Sequence, residues 1–399
     1  MKQKLLPTMI GAVLAGGMGA AQADITVFGH IDTAIVSHDA DNGFVDISKM
    51  PDEWFSNIVT TAFSSRDDIN FQCTTCSIGF KGSEDLGNGL QAIFKLDFQF
   101  DTINRNKGGD PGSLTDRDQW IGLAGGFGKV RIGTISTGYK SHGAMIDPLY
   151  RTAAQGRSNG LQSFLHANAG EDGEGRATNT IRWDSADFNG FKLVAHYTLD
   201  SDEKDGSGGS DEDNDAYGIG AQYTNGGILV FADYLTNDGD DINNNQGDIT
   251  AWKVGGKYTI NNFSVMGQYE DIEDKATFSG EPGRQAGTWW HLAGTYTMGN
   301  NMIYLGYGVA EGEDLVNGLF SAGNEDSEQT AITIAGTHSL SKRTTIYAAY
   351  TMQEQDNDAA INAFLASPPF TTVPGFPTTG SPVNDPEKDV FAIGIKHKF

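Results

Sequence analysis

Leu90-Gln91-Ala92-Ile93-Phe94-Lys95-Leu96-Asp97-Phe98-Gln99-Phe100 alternates apolar with polar side chains. Leu90, Phe94, Leu96, Phe98 and Phe100 fall on one face, and Gln91, Lys95, Asp97 and Gln99 on the other. That is the period of two of a half-buried β-strand. The stretch follows Glu84-Asp85-Leu86-Gly87-Asn88, a tight turn whose Gly and Asn suit positive φ. A strand of this kind serves a soluble sandwich or a barrel equally well, so the connections have to decide.

Working outward, sixteen strand-like segments are predicted, at roughly 25–36, 71–82, 89–101, 116–124, 128–137, 179–187, 190–199, 215–224, 227–235, 249–260, 262–272, 287–298, 301–309, 329–339, 344–352 and 389–399. Every second connection is tight: Gly125-Gly126-Phe127, Asn189, Asn225-Gly226, Asn261, Gly299-Asn300 and Ser341-Lys342-Arg343 follow the turn already quoted. The connections between them are long and acidic; Asp200 to Asp215 holds eight carboxylates and one lysine. Short turns on one rim and long loops on the other describe an outer-membrane barrel with an even strand number. The fold class expected is all-β, a transmembrane antiparallel β-barrel of 16 strands with short periplasmic turns and long extracellular loops.

The remainder of the 399 residues agrees with this. Lys2 and Lys4, the apolar run Leu5 to Ala20 and Ala21-Gln22-Ala23 read as a cleaved signal peptide over 1–23, leaving 24–399 as one barrel domain. No later segment is a transmembrane helix: the longest uncharged stretch, Ala359 to Asn384, contains Pro368, Pro369, Pro374, Pro377 and Pro382. In lipid only a closed barrel then remains, because unpaired backbone groups cannot face hydrocarbon. With 27 Lys+Arg against 52 Asp+Glu the formal net charge is −25, which argues against a nucleic acid partner. No Walker loop, HExxH helix or four-cysteine zinc pattern is present, so no cofactor and no metal are expected.

The order of short motifs resembles the Gram-negative general outer-membrane porins, a sixteen-stranded trimeric family. Ile25-Thr26-Val27-Phe28-Gly29-His30-Ile31-Asp32 is similar to the family's opening strand, and Ile78-Gly79-Phe80-Lys81-Gly82-Ser83-Glu84-Asp85-Leu86-Gly87-Asn88-Gly89-Leu90 to its second hairpin. Trp120-Ile121-Gly122-Leu123 with Gly125-Gly126-Phe127-Gly128, Asn179-Thr180-Ile181-Arg182-Trp183-Asp184-Ser185 and the C-terminal Ile395-Lys396-His397-Lys398-Phe399 continue the match. The resemblance implies a water-filled channel for passive diffusion of ions and small hydrophilic solutes. It implies a homotrimer in the outer membrane, contacting lipid and lipopolysaccharide, and assembled with periplasmic chaperones and the barrel assembly machinery, which would read Phe399. It also implies a third loop, about Gly138 to Thr178, folded into the lumen, with Asp147, Glu171 and Asp172 facing a basic wall across a constriction.

Alternation places that wall. Ile78 and Phe80 on the lipid face turn Lys81 inward; Phe94 and Leu96 do the same for Lys95, Val130 and Ile132 for Arg131, and Ile181 and Trp183 for Arg182. A charge facing lipid at the bilayer midplane costs about 2–4 kcal/mol. His30 and Asp32 point inward from the first strand. Arg117 maps onto a family pore arginine and precedes Trp120, read as part of the membrane girdle. His30, Thr134 and Ser77 occupy positions where relatives carry arginine. With this thinner ladder and an acidic mouth, the expectation is weak cation selectivity that fades at high salt. Cys73 and Cys76 are a possible disulfide, provided a bulge or turn brings i and i+3 together. The alternatives are a substrate-selective channel or, in another class, an outer-membrane hydrolase using Ser141 and His142, or an adhesin without a pore.

Overall fold

The computed structural model describes residues 24–41, 66–103, 114–163, 165, 175–199, 216–237, 249–274, 287–312, 327–356 and 386–399. Residues 1–23, read above as a signal peptide, Glu171, Asp172 and most of the long connections lie outside them. Among the described residues the chain forms β1 (Asp24–Ala40), β2 (Arg66–Cys73), β3 (Ser77–Gly87), β4 (Leu90–Gln99), β5 (Thr115–Gly125), β6 (Gly128–Ser136), β7 (Arg176–Asp184) and β8 (Phe191–Thr198). It continues with β9 (Ala216–Asn225), β10 (Ile228–Asn237), β11 (Ile249–Ile260), β12 (Phe263–Asp274), β13 (Gly287–Met298), β14 (Asn301–Gly312), β15 (Ser327–Ser339), β16 (Thr344–Asp356) and β17 (Glu387–Lys398). Between β6 and β7 lie two short helices, α1 (Gly138–Ala144) and α2 (Gly156–Asn159). No helix described is long and apolar enough to cross a membrane; the strands cross instead.

Neighbouring strands pair antiparallel in one sheet that closes on itself through β1 and β17. Closure leaves no edge, so every strand finds its backbone partners within the barrel. β2 and β3 both pair with β1 and are two halves of one stave, which gives a closed barrel of sixteen staves. The segment read as a single strand over 71–82 is therefore interrupted at Thr74–Cys76, and the stave begins earlier, at Arg66.

Side-chain alternation gives the barrel two surfaces. Ile121, Ile132 and Ile181 are exposed on adjacent strands, and Val265, Leu305 and Ile334 form a similar outward band on the far side. Aromatic rings flank the band, with Phe127, Phe188 and Phe263 towards the tight turns and Tyr217, Tyr234 and Trp252 towards the long connections. This is the outer face of a membrane barrel. Inward positions on β1, β10 and β12–β17 are covered by chain from the β6–β7 connection.

The C-terminus closes the seam. Gly29 and Phe399 exchange backbone hydrogen bonds of 3.1 Å each way, and the Phe399 ring lies over Gly29, where an added Cβ would come within 2.6 Å of it. Phe399→Ala removes that cover from the β1–β17 seam. The expected outcome is a several-fold fall in folded, heat-modifiable protein on unboiled gels, with the single-channel conductance of the surviving fraction unchanged. A normal folded yield would show that the ring has no part in closure.

Candidate functional site: a loop-lined constriction

The third long connection enters the lumen straight after β6. Thr137 caps α1, its side chain accepting from the Lys140 N–H at 3.2 Å, and the helix carries Tyr139 and His142 onto the wall. There the Tyr139 hydroxyl donates to Glu270 Oε1 at 2.6 Å, and the Ser163 hydroxyl donates to the same oxygen at 2.8 Å. Lys253, opposite Glu270 on β11, donates to the Tyr139 carbonyl and stacks on its ring at 3.9 Å. His142 Nδ1 meets Asp233 Oδ1 at 2.7 Å on β10. Asp233, Lys253 and Glu270 are cross-strand neighbours, so one buried row of alternating charge holds the loop.

Beyond α1 the contact is apolar. Ile146, Leu149 and Ala154 pack on Leu229, Phe231, Met266, Ala293 and Tyr304. Gln268 donates to the Gln162 carbonyl at 3.0 Å and Gln353 to the Asn159 carbonyl at 2.9 Å. Tyr347 accepts from the Ala153 N–H at 3.1 Å and donates to Asp32 Oδ1 at 2.9 Å. Leu161 and Leu165, further along the same loop, are buried.

Across the lumen stands a charged wall. Lys95 Nζ lies 2.9 Å from Asp118 and 3.5 Å from Asp97, and the Arg117 Nε lies 3.5 Å from Asp97. Arg176 Nε donates to Asp118 at 2.9 Å. Arg131 and Arg182 share Asp184, the latter at 2.7 Å. Five cations thus share three carboxylates. Lys81 lies on the inward face near the turn rim, opposite Lys95, and both ammoniums sit 5.5 Å from the Phe28 ring. His30 and Asp32 are buried on β1, His30 beside Ser77 and Asp32 beneath Tyr347.

The loop faces this wall with arginines. Arg151 and Arg157 lie 5.6 and 5.0 Å from the Tyr150 ring, and the Arg151 guanidinium reaches His30 at 3.3 Å. Burial, followed by the charges of Arg157, Arg176 and Arg117, pushes the Lys140 ammonium well below its usual range. These guanidiniums do not give up their protons.

Four expectations change. Asp147 does not line the channel: its carboxylate oxygens accept the N–H groups of Leu149 at 2.9 Å and Gly156 at 3.0 Å, tying the loop to itself, and burial pushes its carboxyl up to about 6. Among the described residues Arg182 reaches no loop carboxylate. It donates to the Ser136 carbonyl, and to the Ser141 hydroxyl at 3.2 Å, bracing the point where the loop leaves β6. Trp120 faces the lumen beneath Arg131, whose guanidinium is 5.1 Å from its ring. The reason is a β-bulge: Arg117 and Asp118 together oppose Asp97, so both turn inward and the alternation shifts by one before Trp120. Ser141 and His142 do not pair, since the serine hydroxyl donates to the Thr137 carbonyl at 2.6 Å and the histidine is held by Asp233.

Asp233, Glu270, Lys253, Arg151, Arg157 and Arg176 were missed from sequence. Lys253 stands between Trp252 and Val254, the same apolar flanking that located Lys95. The loop arginines sit in no periodic pattern. Cys73 and Cys76 are joined by a disulfide across the break between β2 and β3. Among the described residues no cluster of three or more His, Cys, Asp or Glu is placed to hold a metal ion.

A family model described as "Gram-negative porin" matches residues 9–358. The major outer membrane protein P.IB of Neisseria sicca is 27% identical over 356 residues, covering 84% of this chain and 90% of that protein. Among solved structures, the anion-selective porin of Comamonas acidovorans superimposes with a TM-score of 0.66 at 20% identity, covering 95% of this chain and 100% of that one. The trimer form of OmpT, an outer-membrane protein of Vibrio cholerae, gives 0.59 at 15% identity, covering 94% and 99%.

Hydrogen bonds to a charged group contribute about 1.5–3 kcal/mol each. Tyr139→Phe should therefore loosen the loop and raise open-channel noise, and Glu270→Leu, which removes both acceptor contacts, should do so more strongly. Quiet, wild-type recordings from both variants would show that the loop does not depend on this anchor.

Proposed function

The chain belongs to the Gram-negative porin family, and from that premise we propose how its channel discriminates among solutes. It is an outer-membrane porin, a water-filled barrel through which ions and small hydrophilic molecules diffuse. Sixteen staves enclose more space than side chains fill, so the loop between β6 and β7 sets the width. Selection is by size and by charge at the narrowest ring, and no covalent step is involved.

Arg117, Arg151, Arg157 and Arg176 make that ring positive, and the channel favours anions. The observation that carries this reading is that the loop faces the basic wall with Arg151 and Arg157, while Asp147 is turned into the loop. An exposed charge more than about 10 Å from that ring is largely screened at 0.1 M salt. This replaces the expectation of cation preference. The assembly we propose is the homotrimer, and the first 23 residues serve as its export signal.

One unit charge about 6 Å from the ion path, at a water-like dielectric, is worth about 0.7 kcal/mol, roughly a threefold change in local ion concentration. In planar bilayers under a KCl gradient, the wild type should therefore show a reversal potential on the anion side. Arg117→Ala and Arg151→Gln should each move it towards cations by roughly that factor in permeability ratio. A cation-side potential that neither substitution alters would remove these arginines from the filter.

A further inference from the structure

Among the described residues, seven besides glycine adopt positive φ, and four of them are Asn, which tolerates that conformation. The others are Leu161, Thr75 (φ 51°) and Arg151 (φ 61°). A β-branched residue at positive φ is a true outlier, and such outliers persist where surrounding structure fixes them. Thr75 and Arg151 belong to opposite sides of the constriction, wall and loop. They meet at one side chain, His30.

The chemistry at His30 is ordered. Arg151 NH1 lies 3.3 Å from Nδ1 and can only donate, so Nδ1 is the acceptor. A neutral ring then carries its proton on Nε2, which lies 3.3 Å from Thr75 Oγ1. Thr75 is thus the acceptor that selects the tautomer able to receive Arg151. Ser77 Oγ, 3.2 Å from Nδ1, approaches the same lone pair from the wall.

Thr75 reaches His30 only because the stave is bulged. On β1, Thr33 pairs with Cys73, and His30 pairs with Ser77. A regular ladder continued from Thr33–Cys73 would put Cys76 opposite His30, and Thr75 opposite the outward-facing Ile31. One extra residue between Cys73 and Ser77 moves Thr75 into the lumen. The disulfide spans this insertion, and the Asp32 N–H donates to Cys76 Sγ at 3.4 Å, fastening the bridged turn to β1. With the two ends of the insertion tied together, the one-residue slip that would flip the stave is closed off.

We propose that the Cys73–Cys76 bridge and the left-handed Thr75 within it are positioning residues of the filter: Thr75 fixes the tautomer of His30, and His30 holds the Arg151 guanidinium across the channel. The proposal rests on the reading of Arg151 as a filter residue, and the test keeps the two apart.

Reversal potentials are measured in planar bilayers for the trimer carrying Thr75→Ala, Thr75→Ser, Arg151→Gln, the pair Thr75→Ala with Arg151→Gln, and the pair Cys73→Ser with Cys76→Ser. Thr75→Ala and Thr75→Ser differ by one hydroxyl. Thr75→Ala should lower the anion-to-cation permeability ratio by about twofold, in the direction of Arg151→Gln, because one hydrogen bond is lost. Thr75→Ser should rescue the wild-type ratio. In the Arg151→Gln background Thr75→Ala should add nothing, the signature of coupled residues. The double serine variant should resemble Thr75→Ala; if it fails to fold, the alanine and serine variants at 75 decide alone. Equal ratios for Thr75→Ala and Thr75→Ser, or full additivity with Arg151→Gln, would overturn the proposal and leave the filter reading standing. No effect of Arg151→Gln would overturn both.

Discussion

One oxygen of Glu270 accepts hydrogen bonds from Tyr139 and from Ser163, residues at the two ends of the described loop. That contact seats the loop inside a wide barrel. Lipid outside can satisfy no backbone group, so the sheet must close, and closure at sixteen staves leaves a lumen too wide to discriminate. A loop that crosses it has few neighbours and must be tied down at its ends. Glu270 does this with Lys253 beside it, and Asp233 extends the same row to His142. Removing one partner of such a buried charged set costs about 3–5 kcal/mol, which makes the loop's seat on this wall specific.

The seat determines what the loop offers to the channel. With Ile146, Leu149 and Ala154 turned to the apolar wall, Tyr150, Arg151 and Arg157 gather on the other side. The arginines there meet a wall already rich in Lys and Arg, whose carboxylates Asp97, Asp118 and Asp184 are each shared between two cations. In the proposed function, like charges crowded in this way raise the local concentration of anions.

Much of the barrel was legible because a strand's period of two leaves few alternatives. Lys95 and Arg131 are placed by their apolar neighbours, and the tight turns at Asn88 and Asn261 fix which rim is which. What was not legible depends on departures from that period. The two residues opposite Asp97 carry Arg117 and Asp118 inward together and reverse the face of Trp120. The interruption at Thr74–Cys76 splits a stave that reads as continuous. Lys253 could have been found by the rule that found Lys95, whereas Glu270 lies beside Asp271 in an acidic run that resembles a strand end. Asp147 has the sequence appearance of a channel-lining acid, and only the fold of the loop shows that its carboxylate is occupied by backbone N–H groups. Arg151 and Arg157 belong to irregular chain, where no periodicity assigns a direction.

The central claim is that the loop between β6 and β7 lies inside the barrel, seated on the β10–β16 wall. Electron cryomicroscopy of the protein in lipid nanodiscs tests it most directly. Density for residues 138–163 should run along that inner wall, with the Tyr139 ring over Lys253 and the arginines of the loop facing Arg117. Density for this segment outside the lumen, or an open barrel with the Asp233–Lys253–Glu270 row facing water, would contradict it.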